Sequence, residues 1–318
     1  MKITGKFALP PYLQETLKKA IFYEWLTVGY LLTVIVLMFL VMGSSQAMKT
    51  AWLEDALSIL PAISFLIASR IYNKPATKEF PYGFHKVFSI AFLTGSVALF
   101  AMGCFLAIDS AITLIKAERP TIGSIYVFNT QIWMGWLMML TLCYSAFPAM
   151  WLGYKKMPLA KKMHNKILFT DATTQKADYM TAFAAIIGIL GVGFGIWWAD
   201  ASAALFISIS VIKDGFKGLK NAIADLMDRH PMDVKNNEKD NLVEEIKKLA
   251  KQWPWAKQVR VRFREHGMVY FGELYIIPMK GFALDGKIEA AKDELLAYHW
   301  KIHDVTIMVE DTFDENVV

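Results

Sequence analysis

The chain contains six long apolar segments, and these constrain its fold more than any other feature. A helix needs about 20 residues to cross roughly 30 Å of hydrocarbon, and lipid offers no partners for an unpaired backbone. The composition agrees, since 55% of the residues are hydrophobic and only 20% are charged. We therefore predict six membrane-spanning helices, near Ile21 to Gly43, Thr50 to Tyr72, Val87 to Ile115, Ile132 to Tyr154, Ile167 to Trp197 and Ala201 to Leu219.

Lysine and arginine are distributed unequally between the ends of these segments. Thirteen lie in the N-terminal arm and in the second-to-third and fourth-to-fifth connections, whereas the opposite connections carry three. The positive-inside rule then predicts a multi-pass membrane protein with both termini in the cytoplasm. The lack of a recognisable targeting segment fits a bacterial inner membrane. Because the basic residues gather at helix ends, the net charge of +5 gives no reason to expect nucleic-acid binding.

After about Met227 the composition becomes that of a soluble domain. Helical spacing of apolar residues near Leu242 to Leu249 is followed by two stretches with alternating apolar residues, a second helical pattern and a final alternating stretch. This predicts a small α+β, ferredoxin-like domain of order αββαβ behind an all-α six-helix transmembrane domain. The hydrophobic core of a domain of about 90 residues is marginal on its own, so we expect a homodimer. We therefore predict three divisions. Residues 1–20 form a cytoplasmic arm, residues 21–226 form the transmembrane domain, and residues 227–318 form the cytoplasmic domain.

Four motifs, in order, suggest a family. They are Pro81 to Lys86, the run Leu168 to Asp178, Trp198 to Ala204, and Leu226 to Arg229. Together with six spans and the αββαβ tail, they resemble the cation diffusion facilitator family of divalent-metal/proton antiporters, from about Ile21 to Asp311.

The resemblance implies a tetrahedral metal site halfway through the membrane, with two ligands four residues apart on the second helix and two on the fifth. The fifth-helix pair corresponds to Thr174 and Asp178, and the second-helix pair to Ser58 and Ala62. Only Asp178 is a strong ligand. An alternative is that Asp178 is a helix-packing acid neutralised by Lys176 or by a protonation shift.

Other oxygen-bearing side chains lie close to these positions. Glu54 and Asp55 are about one turn from Ser58, and Asp171 is about one turn from Thr174. Since neither helix face carries histidine or cysteine, manganese or another oxygen-preferring ion fits better than zinc. Bland alternatives remain: Glu54 and Asp55 would be wetted near the outer interface, and Asp171 would be a solvated or capping acid. The expected metal ligands are Asp178, Asp55, Thr174, Ser58, Glu54 and Asp171.

Two further charges match family positions outside the metal site. The resemblance implies that Lys86 and Asp228 form a charge pair that joins the third helix to the tail, although two exposed charges are an equal alternative. In the tail, Ala290, Ala291 and Met308 stand where relatives place metal-binding histidines. No permanently bound cofactor is therefore expected.

The expected function is export of a divalent cation from the cytoplasm by proton antiport with alternating access. Protons would neutralise the carboxylates and release the ion, because a protonated acid is a poor ligand. The expected partners are the metal ion, protons, the lipid bilayer and a second copy of the chain. The missing ligands leave a different possibility open, a non-transporting scaffold that acts as a dimerisation or regulatory partner. No paired catalytic motif supports an enzyme.

Overall fold

The computed structural model describes residues 9–127, 130–235 and 237–313, apart from the side chains of Val127, Thr130, Lys176 and Ala177. Six long helices precede a small mixed domain. The helices of the described chain are α1 Pro11–Val41, α2 Gln46–Ile71, α3 Val87–Ile115, α4 Met134–Lys162, α5 Lys166–Gly193, α6 Ala199–Leu226, α7 Leu242–Lys251 and α8 Lys287–Tyr298. The strands are β1 Ser124–Val127, β2 Thr130–Trp133, β3 Ala256–His266, β4 Val269–Pro278 and β5 Ile302–Val309.

Five of the helices, α1 to α5, are long and apolar enough to cross a membrane. Helix α6 is also long, with 28 residues, but its second half carries Lys213, Asp214, Lys217 and Lys220. Five of the six predicted spans are thus supported, and the sixth remains a prediction. Helix α1 begins at Pro11, inside the segment predicted as an arm, and Leu13 is already fully buried. Residues 1–8 of that arm lie outside the described chain.

Helices α3 and α6 pack closely because glycines line their contact. A Cβ atom built on Gly215 would lie 2.5 Å from the backbone nitrogen of Phe100. One built on Gly218 would lie 2.5 Å from Ser96 Oγ. Small residues let helix backbones approach where side chains would hold them apart. Helix α6 therefore packs along α3 as part of the bundle, whatever its apolarity.

The first turns of α2 and α6 are joined by one carboxylate. Asp200 is fully buried, and its Oδ1 accepts a hydrogen bond of 2.6 Å from Ser45 Oγ. Its Oδ2 accepts one of 2.5 Å from the backbone nitrogen of Gln46, and the nitrogen of Ala47 donates at 3.3 Å. Backbone N–H groups at a helix start have no partner within the helix. Asp200 thus caps a neighbouring helix rather than its own.

The connection between α3 and α4 contains a short antiparallel strand pair, β1 with β2. The expectation of an all-α domain is wrong in this segment, and α4 begins at Met134 rather than Ile132. Two strands of four residues give too few alternations to register as a pattern beside a long apolar segment. The helical prediction therefore included Ile132 and Trp133, the last two residues of β2.

The last part of the chain has the predicted element order αββαβ. Strands β3 and β4 are antiparallel, β4 and β5 are parallel, and the sheet order is β3-β4-β5. The core between the sheet and its two helices includes Ile246, Tyr270, Leu274, Leu295 and Val305, all fully buried. Whether the domain is ferredoxin-like in detail stays a prediction.

The turn between β3 and β4 packs into the end of the helical bundle where α3 and α5 begin. Gly267 has φ of +68°, and a Cβ built there would lie 2.4 Å from the backbone oxygen of His85. Met268 is 3% exposed and packs in one cluster with Phe65, Phe88 and Ile167. The mixed domain is therefore attached to the bundle by a buried hairpin tip as well as by the chain itself. We call the segment Glu265 to Met268 the hairpin tip.

Candidate cation site in the helical bundle

One face of α5 carries the polar side chains that make the candidate site. Spacings of three and four residues put these side chains on a common buried stripe, which becomes apolar further along the helix. From Asp171 to Asp178 the stripe rises about 10 Å, which is two turns. The buried residues of the stripe are Asp171, Gln175, Asp178, Ala182, Ala185 and Ile189.

Asp178 is the central residue of this stripe. Its side chain is 6% exposed, and Oδ2 has no hydrogen-bond partner among the described residues. A buried carboxylate oxygen without a donor is expensive, and the free energy is recovered only when a proton or a cation reaches it. Asp178 interacts electrostatically with Asp55 and Glu54 across the α2–α5 contact. Three of the predicted site residues thus lie within electrostatic range of one another.

Helix α2 presents Glu54, Asp55 and Ser58 to the interior, and all three are buried. Asp55 Oδ2 accepts a hydrogen bond of 2.6 Å from Ser145 Oγ on α4. Ser58 Oγ donates at 3.0 Å to the backbone oxygen of Glu54, so its lone pairs remain available. Glu54 and Asp55 are 9% and 7% exposed, so most of their surface is covered by protein, which does not support the alternative that they are wetted near the outer interface.

The remaining predicted ligands contribute less. Thr174 is half-buried, and Ala62, at the fourth family position, offers no donor atom. The alternative that Lys176 neutralises Asp178 concerns a side chain outside the described part of the structure. Among the described residues, no group of three or more His, Cys, Asp or Glu side chains could hold a metal ion. A complete shell of strong ligands is not assembled in this conformation.

A second polar layer lies around Asp171, nearer the C-terminal end of α4. Lys156 donates to Asp171 Oδ2 and, at 3.1 Å, to Thr27 Oγ1 on α1. Its ammonium nitrogen also lies 3.4 Å from Glu24. Lys156 and Glu24 are fully buried and Asp171 is 2% exposed. We call Glu24, Lys156 and Asp171 the lysine triad.

The lysine triad corrects two expectations. Asp171 is not a solvated or capping acid, since it is buried against an ammonium group. Lys156 does not lie in the connection between the fourth and fifth segments, because α4 continues to Lys162 and carries it inside the bundle. An acid in the first span and a basic residue close to the fourth could have suggested this pairing, since intramembrane charges usually pair with one another. Sequence reasoning missed Glu24, Thr27, Gln175 and Ser145.

The predicted pair between the third helix and the tail is present as a contact. Lys86 Nζ lies 2.9 Å from Asp228 Oδ1, with exposed fractions of 35% and 38%. Burial opposes ionisation of Asp228, but the hydrogen bond and charge of Lys86 prevail and lower the pKa of this carboxyl. His266 Nε2, in the hairpin tip, lies 3.6 Å from the same oxygen.

Beside this pair, Lys166 joins α5 to α6 and to the hairpin tip. Its ammonium nitrogen lies 3.1 Å from Asp225 Oδ2 and 2.8 Å from Glu265 Oε2, and all three side chains are buried. Burial raises the pKa of Glu265 to about 7, although Lys166 acts in the opposite direction. Burial also lowers the pKa of His266 to about 4 and that of His85 to about 3. The junction between bundle and tail is therefore sensitive to proton concentration.

Comparison with known proteins identifies the family of the chain. A family model for the cation efflux transmembrane domain matches residues 23–227. The manganese efflux system protein MneS of Bacillus subtilis (strain 168) is 25% identical over 187 residues, which cover 58% of this chain and 60% of MneS. MneP of the same organism is 22% identical over 241 residues, 71% of this chain and 72% of MneP. An uncharacterized metal transporter of Schizosaccharomyces pombe is 29% identical over 188 residues, 56% of this chain and 47% of that protein.

The alignments with MneS and with the fission yeast protein thus span between about half and three fifths of those relatives. The family model, in contrast, extends from early in α1 to the end of α6, which includes every residue of the candidate site. Members of this family are transporters, so the expectation that the chain is not an enzyme is confirmed. The chain belongs to the cation efflux, or cation diffusion facilitator, family.

Proposed function

We propose that this protein exports a divalent metal cation from the cytoplasm, and that manganese(II) or another oxygen-preferring ion is its substrate. Family membership and two relatives named as manganese efflux proteins support export of a metal. The donor atoms around Asp178 are carboxylate and hydroxyl oxygens, which suit hard cations better than zinc.

The observation that carries the proposal is the unpartnered Oδ2 of buried Asp178. A cation entering from the cytoplasm binds there, and Asp55, Ser58, Thr174 and Glu54 complete its shell directly or through water. The hydrogen bond from Ser145 holds Asp55 in the interior, facing the α5 stripe. Asp171 lies about 10 Å away along α5, so it belongs to the path rather than to this shell.

Protons from the opposite side compete for the same oxygens and release the ion. Two copies of the chain work as a homodimer by alternating access, with α6 as a sixth span and both termini in the cytoplasm. The tail, residues 227–318, serves as the dimerisation and regulatory domain, and the pair Lys86 and Asp228 transmits its position to α3.

The test is metal-dependent flux in proteoliposomes that contain the purified protein and a pH-sensitive dye. Across magnesium, manganese, iron, cobalt, zinc and cadmium, we expect manganese to drive the fastest proton exchange. Asp178→Asn should abolish flux, whereas Asp109→Asn, a matched change in a partly exposed pair with Lys49, should leave it unchanged. Equal flux in Asp178→Asn and the unmodified protein would overturn the proposal.

A second candidate is the non-transporting scaffold. It is favoured by Ala62 at a ligand position and by the lack, among described side chains, of a cluster with three strong ligands. Calorimetry separates the two candidates. A scaffold binds no divalent ion and forms a stable complex with another membrane subunit, whereas the exporter binds manganese at Asp178.

A further inference from the structure

In the lysine triad, oxygen atoms surround the ammonium group of Lys156. The ammonium group of Lys156 contacts carboxylates from two different helices, Glu24 on α1 and Asp171 on α5, and the hydroxyl of Thr27. These are the ligand types that a hard divalent cation takes, and they converge on one point in the bundle. In this structure the ammonium group of Lys156 occupies that point.

Gln175 lies beside the lysine triad and has an oxygen atom without a hydrogen-bond partner in the described part of the structure. Gln175 is 1% exposed and donates through Nε2 to Asp171 Oδ1 at 3.3 Å. Its Oε1 has no hydrogen-bond partner among the described residues. One acid would suffice to pair a buried lysine, but here two acids contact it, and Glu24 Oε1 also lacks a hydrogen-bond partner among the described residues. A fully ionised triad carries a net charge of −1 in the interior, which favours an additional positive charge.

The position of Lys156 allows its ammonium group to leave. It lies six residues before the end of α4 at Lys162, which corresponds to about 9 Å along the helix axis. A lysine stem can place its charge at the interface while its methylenes stay in apolar surroundings. The ammonium group therefore lies within about 9 Å of the end of α4, where Lys161 and Lys162 are exposed.

We propose that Glu24, Asp171 and Gln175 form a second intramembrane site for the divalent cation, which the ammonium group of Lys156 fills until the metal displaces it. This proposal deepens the proposed function and rests on it. The metal reaches this site first and then moves about two turns along α5 to Asp178. When the metal has moved on, Lys156 returns to Glu24 and Asp171, so these two carboxylates are not left without a cation.

The test counts manganese ions bound per monomer of purified full-length protein by calorimetry and equilibrium dialysis. We expect one in the unmodified protein, none in Asp178→Asn, and two in Lys156→Met, which frees the second site. Lys156→Met with Asp178→Asn should bind one, and Lys156→Met with Glu24→Gln should also bind one. Lys156→Arg keeps the charge and should bind one. A stoichiometry of one in Lys156→Met would overturn the proposal.

The same series separates this proposal from the proposed function. If Asp178→Asn binds as many ions as the unmodified protein, the site at Asp178 is wrong, whatever Lys156→Met does. If Asp178→Asn loses its ion but Lys156→Met gains none, only the second site is wrong.

If Lys156→Met does not fold, Glu24→Gln tests the second site instead, because glutamine keeps the shape of the glutamate side chain and removes its charge. We expect the KM for manganese flux to rise about tenfold, while Asp109→Asn leaves KM unchanged. A purely structural triad would lower the unfolding temperature of Glu24→Gln without moving KM, and that result would overturn the proposal.

Discussion

Asp178 and Asp55 are buried carboxylates in the same part of the bundle, yet their surroundings differ. Asp55 accepts a hydrogen bond from Ser145, whereas one oxygen of Asp178 has no donor among the described residues. An unsatisfied buried polar group costs about 1–3 kcal/mol, and more when it is charged. The unsatisfied oxygen of Asp178 is thus kept at the expense of stability.

A stability comparison follows from this difference. Asp178→Asn should leave the unfolding temperature unchanged or raise it, because it removes a carboxylate that lacks a partner. Ser145→Ala should lower stability by about 1–3 kcal/mol, because it takes the donor away from Asp55. Thermal unfolding in detergent at pH 7.5 measures both. A large decrease for Asp178→Asn would show that its carboxylate is structurally required.

At this scale the sequence predicted the acids better than their partners. Asp178, Asp55 and Glu54 stood out because carboxylates are rare in apolar helices. Lys156 did not, since the predicted fourth span stopped at Tyr154 and the lysine then counted as part of a loop. Its burial depends on how far α4 continues and on Glu24 of a distant helix, and neither follows from local composition.

The hairpin tip is the element that attaches the tail to the bundle. Its glycine has a positive φ and also lies against the backbone of His85, so a side chain there meets two obstacles. Gly281 has a φ of +80° but no atom within 4 Å of a built Cβ. A side chain at Gly281 would therefore meet backbone strain alone, whereas one at Gly267 would meet both backbone strain and a steric clash.

We expect Gly281→Ala to cost about 1 kcal/mol, which is the usual cost of a left-handed conformation for a residue with a Cβ. Gly267→Ala should cost more and should loosen the hairpin tip, because the Cβ would lie 2.4 Å from His85 O. Limited proteolysis and thermal unfolding of both variants provide the measurement. Equal losses would mean that the tip shifts without hindrance.

The docking of the hairpin tip should weaken in acid. His85 and His266 have folded pKa values of about 3 and 4, below their usual 6.5, so the unfolded chain binds more protons between pH 4 and 6.5. Their contribution to stability is therefore lost as the pH falls through this window. Glu265, with a pKa of about 7, acts in the opposite direction between pH 4.5 and 7, but it is one group against two.

Hydrogen exchange of the first amides of β4, corrected for the intrinsic rate, should show less protection at pH 5 than at pH 7.5. Replacing both histidines by glutamine should make protection nearly independent of pH or reverse its slope. Glu265→Gln should steepen the loss. Equal or greater protection at pH 5 in the unmodified protein would contradict the assignment.

Among the elements, long periodic patterns were predicted well and short ones poorly. The apolar cores of α1 to α5 and the order αββαβ followed from length and alternation. The pair β1 and β2 did not, because four-residue strands carry little periodicity. The packing of α6 on α3 depends on Gly215 and Gly218 facing another helix, which a single sequence cannot reveal.

Membrane orientation is a property of the whole molecule, and it rests on charge asymmetry. Burial of Lys156 and Lys166 removes two residues from the thirteen that faced the proposed cytoplasmic side. The eleven basic residues that remain on that side still outnumber the three on the opposite side, so the same orientation is favoured.

Cysteine labelling tests that orientation in intact cells. With Cys104 and Cys143 replaced by alanine, Glu118→Cys should react with a membrane-impermeant maleimide, because it lies exposed between α3 and β1. Lys251→Cys, exposed at the end of α7, should react only after permeabilisation. The reverse pattern would place the tail outside the cell.

Asp200 limits how this molecule can change shape. It supplies acceptors to three donors at the start of α2, and no solvent reaches it. Pulling the start of α2 away from α6 would leave the buried carboxylate of Asp200 without its three donors and would uncap the helix that carries Asp55. A rearrangement that keeps these hydrogen bonds therefore moves the starts of α2 and α6 together.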